Sequence, residues 1–120
     1  MTLHVAEKVV IITEKIISKG VCDIIEACGA TGYTIVEAGG KGSRDVRSSA
    51  ERASVVDDFT NVKVEVIVND AAMAERIMDG VRDKYFENYS GITYLEDIRI
   101  LRPAKFKNST VINAREAILF

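Results

Sequence analysis

Histidine occurs once in this chain, as His4, so neither a His-based catalytic triad nor a metal site built on several imidazoles can form within it. His4 reads as an ordinary side chain near the terminus. Cysteine is almost as scarce, with only Cys22 and Cys28. On a helix these two would be separated by about 9 Å of rise and point to different faces, so free thiols in a reducing compartment are expected. No apolar run approaches the ~20 residues needed to span a bilayer. The first residues lack a basic region followed by a signal-peptide core and a small-residue cleavage site, and the chain is expected to be cytoplasmic. An excess of positive charge is missing too. Sixteen Lys and Arg face eighteen Asp and Glu, and the net charge of −2 argues against a general nucleic-acid binder.

What remains is ordinary for one globular domain: 120 residues, 48% hydrophobic and 28% charged. His4 to Ile12 ends in the β-branched run Val9-Val10-Ile11-Ile12, which predicts a buried strand. Thr13 is placed to cap the first helix. Ile16, Ile17, Val21, Ile24, Ile25 and Cys28 fall on one half of a helical wheel, with Lys15, Ser18, Lys19, Cys22, Asp23 and Glu26 opposite. Gly29 is a natural stop for that helix. Tyr33 to Ala38 reads as a second strand. From Asn61, alternation of Val62, Val64 and Val66 with Lys63 and Glu65, continuing into Ile67 and Val68, predicts a third strand with one buried face. Asn69 or Asp70 caps a second helix with an apolar stripe of Met73, Ala74, Ile77, Met78, Val81 and Tyr85. Gly91 introduces a fourth strand through Leu101, closed by Pro103. The fold class is α+β, in the ferredoxin-like order β-α-β-β-α-β. Two helices would cover one sheet face and leave the other open and apolar, which favours oligomerisation.

The connection from Gly39 to Asp58 is out of proportion. A hairpin turns in about two to five residues, so roughly twenty need a reason. The stretch opens Gly39-Gly40-Lys41-Gly42-Ser43-Arg44-Asp45-Val46-Arg47-Ser48-Ser49. Its glycines let main-chain N–H groups approach a ligand closely, and Lys41, Arg44 and Arg47 add cationic donors beside serine hydroxyls. Residues 39–55 carry four basic side chains against two acidic ones, an excess that favours an anion site over a passive solvated hairpin. Neither nucleotide fingerprint is met: G-x-x-x-x-G-K-[ST] is absent, and Asp45 stands where the last glycine of G-x-G-x-x-G would be. Asp57-Asp58 is read as a hydrated loop cap rather than a metal-nucleotide contact.

In these residues the chain resembles the PII signalling superfamily, and within it the PII-like branch of SbtB and the carboxysome-associated PII-like proteins. The blocks that carry the resemblance are Val10-Ile11-Ile12-Thr13-Glu14-Lys15, Gly29-Ala30-Thr31-Gly32-Tyr33-Thr34, the run from Gly39 to Ser49, and Tyr89-Ser90-Gly91-Ile92-Thr93-Tyr94. It implies one domain over 1–120, assembled as a homotrimer, with adenine nucleotides (AMP, ADP, ATP or cyclic AMP) in clefts between subunits. It also implies a T-loop, from Gly40 to about Asp58, that changes order when ligand binds. Gly40, Lys41, Gly42, Ser43, Arg44 and Arg47 match the T-loop base that holds the phosphates, and Gly91 and Ile92 match the strand edge against which adenosine sits. The nucleotide is a regulatory ligand, with no required cofactor and no metal, and bicarbonate is a second candidate ligand. The implied function is regulation of inorganic-carbon uptake through a membrane bicarbonate transporter, approached by the T-loop from the cytoplasm. The chain departs from SbtB in lacking the terminal Cys-Gly-Pro-Glu-Gly-Cys loop. It ends instead in a tail, 102–120, that finishes Ala117-Ile118-Leu119-Phe120, and within it Asn108-Ser109-Thr110-Val111-Ile112 reads equally as the cap of a short helix or an added edge strand.

Two other classes stand beside this reading. A slow nucleotide hydrolase would use the same cations to stabilise phosphoryl charge, with Asp45, Glu51, Asp57 or Asp58 positioning a water. A ligand-independent assembly module would use only the open sheet face. An acylphosphatase is disfavoured, because Thr13-Glu14-Lys15-Ile16 follows the first strand where that family places a glycine-rich loop.

Overall fold

The computed structural model describes residues 2–40 and 60–102. Strand β1 (His4–Glu14) passes through a 3-10 turn (Lys15–Ile17) into helix α1 (Ser18–Ala27). Then come β2 (Thr34–Ala38), β3 (Asn61–Val68), helix α2 (Ala71–Tyr85) and β4 (Gly91–Ile100). The sheet order is β2-β3-β1-β4 and every neighbouring pair is antiparallel. The β-α-β-β-α-β expectation therefore holds for the described residues.

Strand period and burial agree closely. On β3, Val62, Val64, Val66 and Val68 are buried, and the residues between them are partly exposed. Register carries the same face across to β1, with Val9 opposite Val66, Ile11 opposite Val64 and Thr13 opposite Val62. Against these pack Ile17, Val21 and Ile25 of the first helical segment and Met73, Ala74, Ile77 and Val81 of α2, in one core. Both helices thus lie on one side of the sheet.

Each helix ends as its sequence requires. Asp70 caps α2, accepting from the N–H of Ala72 at 2.8 Å. Gly29, at φ +97°, closes α1, with its N–H donated to the carbonyl of Glu26 and that of Ala30 to Ile25. This is the paired pattern of a Schellman stop, which favours glycine at the left-handed position.

Three expectations are corrected. Thr13 does not cap the first helix; its hydroxyl donates instead to the carbonyl of Ser90 at 2.7 Å. Ile16 is 79% exposed while Cys22 is buried, the reverse of the wheel. The wheel assumed α-helical steps of about 100°, but residues 15–17 form a 3-10 turn, which steps about 120°. Cys22 lies within hydrogen-bonding reach of Tyr33 in the following connection. The sheet face opposite the two helices, finally, is not simply apolar. At its centre Lys8 pairs with Glu65 at 3.5 Å and Glu96 at 3.2 Å, and Lys63 pairs with Glu65 at 3.4 Å.

Candidate functional site

Antiparallel pairing brings four chain segments to one end of the sheet. The last residue of β1, Glu14, lies opposite Asn61, the first of β3; Ala38, the last of β2, lies opposite Asn61 as well; and Thr13 faces Gly91, the first of β4. The long connection leaves this end through Gly39 and Gly40, both exposed, and returns to it at Thr60. Gly40, Gly91 and Ile92 are thereby placed at a common rim. Lys41, Gly42, Ser43, Arg44 and Arg47 lie outside the described residues, as do Asp45, Glu51, Asp57, Asp58 and the tail from Pro103.

The two halves of the rim are not equivalent. Gly40 follows β2 and Gly91 opens β4, which are the two edge strands. Three strand spacings separate them, about 14 Å. Gly91 is glycine for a steric reason: a Cβ there would stand 2.5 Å from the Phe86 ring and 2.8 Å from the Thr13 hydroxyl oxygen. A Cβ at Gly40 would meet nothing within 4 Å, so crowding places no demand there. Ile92 is 57% exposed, an apolar side chain offered at the rim.

Between these edges the end of β1 supplies the polar ties. Thr13 is held between β3 and β4, and Glu14 accepts the N–H of Ser90 at 2.6 Å. The main-chain N–H of Lys15 donates to the carbonyl of Thr60 at 2.8 Å, and its ammonium pairs with Glu37 on β2. Sequence reasoning missed Thr13 in this role. A signal was present: Thr13 continues the alternation of Val9 and Ile11, and a hydroxyl at a buried strand position must find a partner.

Away from the rim, the Tyr33 hydroxyl donates to Glu26 at 3.4 Å. Hydrogen bonding to Cys22 is the largest cause, and with the added effects of burial and the neighbouring Glu26 it pushes the Tyr33 phenol up to about 12. Cys22 and Cys28 are free thiols. Among the described residues no group of three or more His, Cys, Asp or Glu is arranged to hold a metal. No helix among them is long and apolar enough to cross a membrane.

Comparison with known proteins gives one family. Residues 6–105 match the model described as nitrogen regulatory protein P-II. Among solved structures, the chain is similar to a PII-like signalling protein of Thermus thermophilus, at 28% identity and TM-score 0.70, covering 88% of this chain and 99% of that one. It is similar to CPII of Thiomonas intermedia bound to ADP, AMP and acetate, at 28% identity and TM-score 0.72, covering 90% and 100%. CPII bound to ADP and bicarbonate aligns at 27% identity and TM-score 0.72, covering 88% and 97%.

Proposed function

The chain belongs to the P-II family of nitrogen regulatory proteins, within its PII-like branch, and from that premise we propose that it is a signalling protein whose regulatory ligand is an adenine nucleotide. The observation that carries this reading is the shared rim. Both ends of the basic connection and the Gly91–Ile92 edge meet at one end of the sheet. CPII, of the same fold, holds ADP and AMP. In this reading Gly40, Lys41, Gly42, Ser43, Arg44 and Arg47 hold the phosphates, because guanidinium forks and main-chain N–H groups match oxyanions. Gly91 and Ile92 take the adenosine portion.

The separation of the two halves supports a site between copies of the chain. With the phosphate donors beside one edge strand and the adenosine platform on the other, neighbouring copies in a homotrimer juxtapose β2 of one with β4 of the next. Bicarbonate is the second ligand, by analogy with the structure of CPII bound to ADP and bicarbonate. The output is regulation of inorganic-carbon uptake from the cytoplasm, the T-loop carrying the signal to a membrane bicarbonate transporter. Reciprocity requires that a partner selecting one nucleotide-bound state change nucleotide affinity by the factor with which nucleotide changes partner affinity.

Isothermal titration with AMP, ADP, ATP and cyclic AMP, with and without bicarbonate, tests the proposal. Binding without turnover is expected, with bicarbonate altering ADP affinity. Release of phosphate or of AMP would favour the hydrolase reading, and no heat with any nucleotide would leave only an assembly module.

A further inference from the structure

Three consecutive residues at the end of β1 hold the ends of the other three strands. Thr13, a fully buried threonine, donates to the carbonyl of Ser90 at 2.7 Å, and Glu14 accepts the Ser90 N–H at 2.6 Å. The β1–β4 pairing ends at Gly91, so Ser90 lies just outside the ladder and both its main-chain polar groups are held by side chains of β1. Lys15, the next residue, donates its N–H to Thr60 at 2.8 Å and pairs its ammonium with Glu37. Thr60 and Glu37 flank the point where the long connection returns and the point where it departs.

We propose that Glu14 and Lys15 are positioning residues that couple the β4 side of the rim to the two ends of the basic connection. The inference rests on the nucleotide reading above and links the two half-sites that one chain contributes to its neighbouring clefts. Glu14 and Lys15 share a peptide unit at the strand-to-turn junction. A ligand that shifts Ser90 and Gly91 therefore drags Glu14, and with it the Lys15 contacts to Thr60 and Glu37. Neither residue needs to touch the ligand.

A purely electrostatic role predicts the opposite sign. Carboxylates near a polyphosphate repel it, so removing Glu14 or Glu37 would tighten binding. Positioning predicts that removal weakens it. ADP titrated calorimetrically into the full chain should bind about tenfold more weakly to Glu14→Ala, which loses a charge-assisted hydrogen bond. Glu37→Gln should weaken binding about two- to fivefold, since the pair it breaks is more than half exposed. Tighter or unchanged binding in both variants overturns the proposal.

Hydrogen exchange without nucleotide supplies the second arm and does not depend on ADP binding. Glu14→Ala should speed exchange at the Ser90 amide, which it bonds directly, and also at the Lys15 amide, which it does not. Faster exchange at Ser90 alone would show two independent anchors and overturn the coupling, whatever the calorimetry finds. Failure of the wild-type chain to bind ADP, with coupled exchange intact, would defeat the nucleotide reading and leave the clasp standing.

Discussion

Gly91 and Gly32 differ by what surrounds them, and the difference predicts opposite responses to the same methyl group. At Gly91 a Cβ collides with the Phe86 ring and with Thr13, whose hydroxyl anchors Ser90. Gly91→Ala is expected to cost about 1–3 kcal/mol by overpacking. Gly32 has nothing within 4 Å of a built Cβ and no positive φ. Gly32→Ala should be neutral or stabilise by up to about 1 kcal/mol through the unfolded chain. Denaturant melts of the two variants beside the parent make the comparison, and equal losses would contradict it. Tyr33 offers a second residue-scale check. With its phenol raised to about 12, the neutral form is the one the fold prefers. Its contribution to stability is complete below the ordinary value of 10.0 and is lost as pH climbs through the folded value. In an ultraviolet titration one of the four tyrosines should ionise last, and Tyr33→Phe should delete that component. Uniform titration near 10 would show that the contact with Cys22 and Glu26 does not hold in solution.

At the scale of elements, legibility followed how far each element sets its own burial. The α2 stripe was readable because a regular helix of fifteen residues keeps one angular step throughout. Met73, Ala74, Ile77 and Val81 are buried, with Met78 and Tyr85 packed beside them. Strand β3 was readable because its period of two is undisturbed. The first helix was misjudged at its start, since a 3-10 turn precedes it and no residue pattern marks the change of winding. The rim was legible only in part: Gly91 and the basic run stood out by composition, whereas Thr13, Glu14 and Lys15 matter through partners far along the chain. A pair of truncations checks the corrected helix face. Ile25→Ala, at a fully buried site, should cost about 2–5 kcal/mol. Ile16→Ala should stay within about 0.5 kcal/mol, because that side chain is exposed. Comparable losses at both positions would restore the original wheel.

Among the described residues both helices pack on one sheet face, and none of their core contacts lies on the other. Val10 and Ala6 are buried on that second face without joining the main core, under a layer of Lys8, Glu65 and Glu96. The Lys8 ammonium is held above its ordinary value, chiefly by its hydrogen bond to Glu96, with Glu65 adding to it and burial opposing. Charge at the centre of this face is thus already paired within one chain, which lowers the cost of covering it with another copy. Ile12 lies beside this charged centre, opposite Ile92 on β4 and Lys63 on β3, and belongs to no helix contact in the core. Ile12→Glu should therefore spare the fold, with Lys63 opposite to receive the carboxylate within one chain, while replacing an apolar side chain by a charged one in the proposed interface between copies. Light scattering on the parent chain should give three times the 13.2 kDa chain mass, and on Ile12→Glu a single chain with unchanged circular dichroism. ADP binding should fall with the trimer, since phosphate donors and adenosine platform come from different copies in the proposed site. A parent chain that scatters as a monomer refutes the assembly. A monomeric variant that binds ADP as tightly as its parent refutes the placement of the site between copies, and would return both halves of the rim to a single sheet.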